Sequence, residues 1–158
     1  MGSKNSMLKN QVPKPDRIMS LLFDTDYQYL ADAGLEYEEH EQSRFLIFKR
    51  FPLPEGVYEV SGAPVKEVDV LYIIPTTYNT EGGDMLWTYP RLFLVGGAVV
   101  PSTGGPGANE DSRPLGDVVF CRWSRHWNKI PWKPKVDNVQ TIVDRITWAF
   151  KYPDAKRP

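Results

Sequence analysis

The sequence predicts an α+β domain, and three observations carry that prediction. A short helical pattern comes first, a run of strand patterns with short breaker-rich connections follows, and a clean amphipathic helix closes the chain. Strands that run on consecutively between helices belong to α+β architectures, whereas strict alternation of strand and helix would point to a parallel sheet. At 158 residues the chain fits one domain with a real core and is too short to expect two. The expected organisation is a flexible N-terminal arm over residues 1–16, a single domain over 17–153 and a tail over 154–158.

The arm is polar and carries Pro13 and Pro15. Its start formally fits an N-myristoylation pattern on Gly2, but Met1-Gly2-Ser3 is equally what a cloning junction leaves behind, and that reading is preferred. Asp24 is placed to cap a first helix through Asp26, Tyr27, Leu30 and Ala31, which stops at Gly34. Residues 35–40 and 44–51 then read as a hairpin, with Glu41, Gln42 and Ser43 as turn material. The second strand is apolar on both faces, Phe45 and Ile47 against Leu46 and Phe48, which places it centrally. His40, at the polar end of the hairpin, reads as a surface residue.

Pro52, Pro54 and Gly56 mark a loop, and residues 66–74 give the strongest strand signal, with Val68, Val70, Tyr72 and Ile74 on one face. A further strand over 85–87 breaks at Pro90, and 92–95 is expected to pair back on it, giving an antiparallel meander of about four strands. Residues 101–116 hold Pro101, Gly104, Gly105, Pro106, Gly107, Pro114 and Gly116, too many breakers for regular structure. No Gly-Lys-Ser/Thr completes Thr103-Gly104-Gly105-Pro106-Gly107 into a phosphate cradle, so nucleotide binding is set aside. Asp137 is expected to cap a last helix in which Val139, Ile142, Val143, Ile146 and Phe150 recur at helical spacing.

Composition narrows the function classes. A formal net charge of -1 gives no electrostatic pull toward nucleic acid or an acidic membrane surface. One cysteine cannot form an internal disulfide, and neither a leader pattern nor a bilayer-length apolar run is visible, so a reduced, cytoplasmic protein without membrane or nucleic-acid partners is expected. One cysteine and two distant histidines do not make a zinc site, and no metal is expected.

The chemistry is concentrated in residues 120–134, which hold the only cysteine, one of two histidines and three of five tryptophans. Cys121 is a candidate nucleophile, with Arg122 and Arg125 favouring its thiolate and His126 relaying a proton; the competing reading is a small buried core residue beside Val118, Val119 and Phe120. Strand parity adds a test. On an extended chain Phe120, Arg122, Ser124 and His126 share one face and Cys121, Trp123 and Arg125 the other, so Ser124, rather than Cys121, lies on the side of His126. Trp123, Trp127 and Trp132 without a basic excess are better explained as packing than as a stacking platform for bases or sugars.

Several local motifs then stand in a telling order: Phe51-Pro52-Leu53-Pro54-Glu55-Gly56, Ile74-Pro75-Thr76-Thr77-Tyr78, Asp84-Met85-Leu86-Trp87, and Arg122-Trp123-Ser124-Arg125-His126 followed by Trp132 and Asp137. Together they resemble the E2 (ubiquitin-conjugating, UBC-like) superfamily, most closely its prokaryotic family E, over roughly residues 24–152. The resemblance implies a UBC-like domain of N-terminal helix, four-stranded meander, active-site loop and C-terminal helix. It implies a transferase that accepts a ubiquitin-like protein from an E1-like adenylating enzyme, as a thioester or an oxyester, and passes it to a target amine. A JAB-type peptidase in the same bacterial system is a further implied partner, and no metal or organic cofactor is required. Two departures matter. Tyr78-Asn79-Thr80-Glu81-Gly82-Gly83 stands where the superfamily has Tyr-Pro-x-x-Pro-Pro, and no His-Pro-Asn precedes Cys121, so the usual oxyanion asparagine is not carried over, and His126 and Asn128 are the candidates to substitute for it. Cys121 is thus expected as first nucleophile, Ser124 as second and His126 as base, with Arg122, Arg125, Trp123 and Asn128 facing the partner. The runner-up is a catalytically inactive scaffold for a ubiquitin-like protein or an E1.

Overall fold

The computed structural model describes residues 20–154. The expectations about the arm over 1–16 and about Gly2 lie outside these residues, as does most of the tail. Two helices, α1 (Asp24–Asp32) and α2 (Val139–Lys151), bracket nine strands: β1 (Glu36–His40), β2 (Phe45–Pro52), β3 (Tyr58–Val60), β4 (Ala63–Pro64), β5 (Glu67–Ile73), β6 (Leu86–Tyr89), β7 (Phe93–Leu94), β8 (Arg113–Leu115) and β9 (Val118–Trp123). The main sheet is antiparallel in the order β1-β2-β5-β6-β9-β8, and a small second sheet runs β4-β3-β7. This is the expected α+β class.

The alternation of β2 explains why the sheet is covered on both faces. Leu46 and Phe48 enter the main core, which also takes Tyr27 and Leu30 of α1 and Val139, Ile142 and Ile146 of α2. Ile47 points the other way, into a smaller cluster with Leu71, Trp87 and Phe120. A strand buried on both sides belongs in the middle of a sheet, and β2 sits between β1 and β5.

Three local expectations are corrected. Residues 92–95 do not pair back on β6: β7 pairs with β3, Tyr58 opposite Leu94 and Glu59 opposite Phe93. The breaker-rich segment is not wholly irregular, because a short 3-10 turn (Ala108–Glu110) leads into β8, which pairs with β9. Pro114 is tolerated there because β8 is an edge strand with no neighbour on its outer side. The caps also differ. Phe23, not Asp24, is the N-cap residue of α1, and Asn138, not Asp137, caps α2 by accepting the Gln140 N–H at 2.9 Å. Asp137 instead accepts from the Lys133 N–H at 2.8 Å and from the Thr141 hydroxyl at 3.1 Å.

The start of α1 is secured by Asp26, which is only 2% exposed. Its Oδ2 accepts the Phe23 N–H at 2.9 Å, and its Oδ1 accepts the N–H of Val139, the first residue of α2, at 3.1 Å. One carboxylate therefore satisfies an open donor at the N-terminus of each helix and meets the positive end of both dipoles. Asp26→Ala leaves both donors without this acceptor inside the core. Each hydrogen bond to a charged group is worth about 1.5–3 kcal/mol, so urea unfolding is expected to show a loss of roughly 3 kcal/mol or more, whereas Asp24→Ala, on the exposed side of α1, is expected to cost no more than about 0.5 kcal/mol.

Candidate active site

β9 lies between β6 and β8, with Leu86 opposite Trp123, Trp87 opposite Arg122 and Thr88 opposite Cys121. The chain stays extended after Trp123 because residues 102–104 run alongside it: Ser124 N–H donates to Ser102 at 2.9 Å, and Gly104 N–H donates to Arg122 at 3.0 Å. The strand's alternation consequently continues beyond its last paired residue. Cys121, Trp123, Arg125 and Trp127 are buried, while Arg122 and Ser124 are half-buried and His126 and Asn128 exposed.

The buried side is committed to structure. Trp123 packs edge-on against Phe150 of α2 at 5.0 Å. The Arg125 guanidinium is 0% exposed, lies 4.7 Å over the Trp123 ring, and donates to the carbonyls of Ser124 at 2.8 Å, Pro153 at 3.2 Å and Pro101 at 3.3 Å. It clamps the segment after β9 to the end of α2, so neither Trp123 nor Arg125, both expected at the partner surface, is presented to an approaching protein. Cys121 is 3% exposed, and its sulfur makes a weak contact with the Val119 carbonyl at 3.9 Å. Burial pushes the thiol above its ordinary value of 9.0, and the charge that opposes this is Arg91, not Arg122 or Arg125.

The open side carries the polar chemistry. Arg122 Nη1 donates to Ser124 Oγ at 2.5 Å, and Arg122 Nε donates to the Glu110 carbonyl at 3.1 Å. His126 Nδ1 pairs with Asp84 Oδ2 at 2.6 Å, the two side chains being 53% and 48% exposed. Asp84 was not singled out as a site residue by the sequence, yet the β6–β9 register brings it close. Continuing from Leu86 opposite Trp123, the antiparallel chains carry residue 84 to the level of residue 125, beside His126. Ser124 and His126 share this side, as parity requires, but no hydrogen bond joins them: among the described residues Ser124 Oγ is bonded to Arg122 and His126 to Asp84. Asn128 lies in an exposed turn.

The loop that follows is pinned down by aromatic packing. Trp132 lies so close over Gly82 that a Cβ there would stand 2.1 Å from the ring, and its Nε1 donates to the Asn79 carbonyl at 2.9 Å. Trp127 packs on Trp148 of α2 at 5.5 Å, and Arg145 lies 5.1 Å from the Trp127 ring and 5.8 Å from that of Trp132 while donating to the Ile130 carbonyl at 2.6 Å. A shallow groove of about 410 Å³ remains between this loop and α2, lined by Trp127, Ile130, Lys133 and Trp148. Two of the three tryptophans of the central stretch therefore pack directly on α2, and the third seals the loop against the turn over residues 78–83. Among the described residues no cluster of three or more His, Cys, Asp or Glu is arranged to hold a metal, and no helix is long and apolar enough to cross a membrane.

Residues 22–152 match the model of a family of E2-like proteins. That family is prokaryotic E2 family E, and the chain belongs to it. No curated protein and no solved structure gives a match. Membership sets the chain within ubiquitin-like conjugation and implies dealings, in general terms, with ubiquitin-like proteins and E1-like enzymes.

Burial of ionisable groups sets the sign of the alkaline response. The native thiol of Cys121 and the native hydroxyls of Tyr58 and Tyr72 hold their protons above the ordinary 9.0 and 10.0, in each case chiefly through burial. Above those ordinary values the unfolded chain releases protons that the native protein retains, so stability falls as pH rises. The urea midpoint is expected to drop between about pH 8 and about pH 10.5. In the same experiments a thiol reagent at neutral pH should modify Cys121 about 100-fold more slowly in the native protein than in urea.

Proposed function

We propose that this protein accepts an activated ubiquitin-like protein from an E1-like enzyme as an ester on Ser124 and passes it to a target amine, with His126 as base and Asp84 as its orienting carboxylate. The observation that carries this reading is the shared open side of Ser124 and His126, with His126 Nδ1 already held by Asp84 at 2.6 Å. A histidine that donates a hydrogen bond from its Nδ1–H to a carboxylate keeps the Nε2 lone pair for proton transfer. In the forward step Ser124 Oγ bonds to the acyl carbon, the bond to the E1 leaving group breaks, and the hydroxyl proton passes to His126 Nε2. In the second step the amine nitrogen bonds to that carbon, the ester C–O bond breaks, and the proton that the amine loses passes through His126, which has returned its first proton to the departing E1 group, to Ser124 Oγ. No metal or organic cofactor is needed for either. The burial of Cys121 puts a thioester on that residue second, since a nucleophilic thiol must ionise and meet its acyl donor. With this function go the finer expectations of a single UBC-like domain over residues 17–153, a cytoplasmic setting and a JAB-type peptidase that reverses the conjugation.

A second reading is favoured by one observation: Ser124 Oγ is bonded to Arg122, not to His126. On that reading the chain is an inactive E2-like scaffold that binds the ubiquitin-like protein or the E1 without covalent chemistry.

Incubation with the cognate E1-like enzyme, its ubiquitin-like protein and ATP separates the two. The expected product is an adduct that resists thiols, yields to hydroxide, persists in Cys121→Ala and disappears in Ser124→Ala, with His126→Ala slowing its formation about 100-fold or more. A thiol-sensitive adduct lost with Cys121→Ala would transfer the nucleophile's role to the cysteine. Absence of any adduct, together with non-covalent binding by calorimetry, would leave the scaffold.

A further inference from the structure

We infer that Arg122 is a catalytic residue of this site, stabilising the negative charge that develops on Ser124 Oγ, and that Gly104 is the positioning residue that keeps it there; the inference rests on Ser124 being the group that is acylated. As the Ser124 hydroxyl proton leaves, negative charge builds on Oγ, a charge distinct from the oxyanion on the acyl carbonyl for which the sequence offered His126 and Asn128. The group that touches Ser124 Oγ is the Arg122 guanidinium at 2.5 Å. A cationic donor at this distance favours the deprotonated serine oxygen over the hydroxyl, and it does so most strongly when it is fixed before the reaction begins.

Arg122 is fixed on three sides by the segment that runs along β9. Its backbone carbonyl takes the Gly104 N–H at 3.0 Å, and its Nε donates to the Glu110 carbonyl at 3.1 Å. Its remaining terminal nitrogen, Nη2, lies directly against Gly104. A Cβ at residue 104 would stand 2.9 Å from Arg122 Nη2, 2.9 Å from Glu110 Oε1 and 3.0 Å from the Glu110 carbonyl oxygen. A side chain there displaces the Arg122 guanidinium and the Glu110 carboxylate and presses on the carbonyl that anchors the guanidinium, so glycine is what lets Arg122 keep this position. The neighbouring Gly105 gives a matched comparison. A Cβ at residue 105 would stand 3.0 Å from a different guanidinium nitrogen, Arg91 Nη1, and the Gly105 N–H bond to Glu110 Oε1 at 3.2 Å survives in an alanine. Two adjacent glycines therefore crowd two different arginines, and only one of those arginines touches Ser124.

Acylation by p-nitrophenyl acetate tests this without any protein partner. Ser124 Oγ bonds to the acetyl carbon, p-nitrophenolate leaves, and the hydroxyl proton passes to His126; the modified residue is located by mass spectrometry and the rate followed as a function of pH. Arg122→Gln is expected to slow acylation of Ser124 about 100-fold and to move the rising limb of the pH profile upward, with Arg122→Lys recovering part of the rate. Gly104→Ala should slow it at least about 10-fold and shift the profile in the same direction, while Gly105→Ala stays within about 2-fold of the unaltered protein. Melting temperatures of all four variants within a few degrees of one another exclude a general loss of fold. Equal behaviour of the two glycine variants, an Arg122→Gln protein acylated at the unaltered rate, or no acylation of Ser124 in the unaltered protein overturns the inference. An Arg122-dependent acylation in a protein that forms no conjugate with its E1 and ubiquitin-like partner would uphold the inference and sink the conjugating function.

Discussion

A single buried carboxylate starts both helices. Asp26 sits in the first turn of α1 and reaches 113 residues along the chain to the first residue of α2. α1 closes its own N-terminus through Asp26, and the second oxygen of the same carboxylate ties the first residue of α2 to that point in the core. Tyr78 lies within reach of the same charge, and its hydroxyl is pushed well above the tyrosine range by burial first and by Asp26 second. The placement of α2 then sets what the site requires at its far end. The Pro153 carbonyl, just past α2, receives Arg125, and Arg125 also bonds the Ser124 carbonyl. A contact at one end of a helix thus holds a backbone position at the other.

The burial pattern after β9 shows why local sequence reasoning went as far as it did. Period-two alternation is a property of extended backbone, whether or not the residues are paired in a ladder. It runs unbroken from Cys121 to Trp127 because residues 102–104 pair with the segment, and so the separation of Cys121 from the Ser124 and His126 side was legible in advance. The same was true of β2, whose apolar residues on both faces demanded a central position. What stayed hidden was long-range. The pairing of β7 with β3 and the approach of Asp84 to His126 depend on pairings between segments more than thirty residues apart, where no short turn sets the register. Both helix caps were misplaced by one residue. At α1 the cap position falls to Phe23, whose N–H is taken by Asp26, and at α2 Asp137 is occupied by Lys133 and Thr141, which leaves Asn138 to cap.

Sequence proximity and electrostatic proximity also part company here. Arg122 and Arg125 flank Cys121 closely enough to suggest an activated thiolate. Arg122 adjoins Cys121 in sequence but lies on the opposite side of the strand, where it donates to Ser124 Oγ. Arg125 shares the side of Cys121, but its guanidinium is spent on backbone carbonyls and on the face of Trp123. The cation that does oppose burial at the thiol, Arg91, comes from thirty residues earlier, between β6 and β7. A cation favours a thiolate only where its field reaches the sulfur, and in a strand the next residue along is the one whose side chain points away.

The unmade contact between Ser124 and His126 has to be judged against how little the surrounding backbone can move. Residue 124 is held through its N–H by Ser102 and through its carbonyl by Arg125. The loop after His126 is held by Trp132 on Gly82 and by Arg145 on the Ile130 carbonyl. With the chain fixed on both sides, bringing the serine and histidine together falls to the side chains, and His126, half exposed and tethered by one ring nitrogen, is the one with room to turn. Catalytic hydrogen bonds are often long before substrate binds, so an unmade bond between groups on a rigid frame is compatible with a working pair. The same rigidity makes the position of Arg122 matter, because a fixed serine cannot follow a displaced guanidinium.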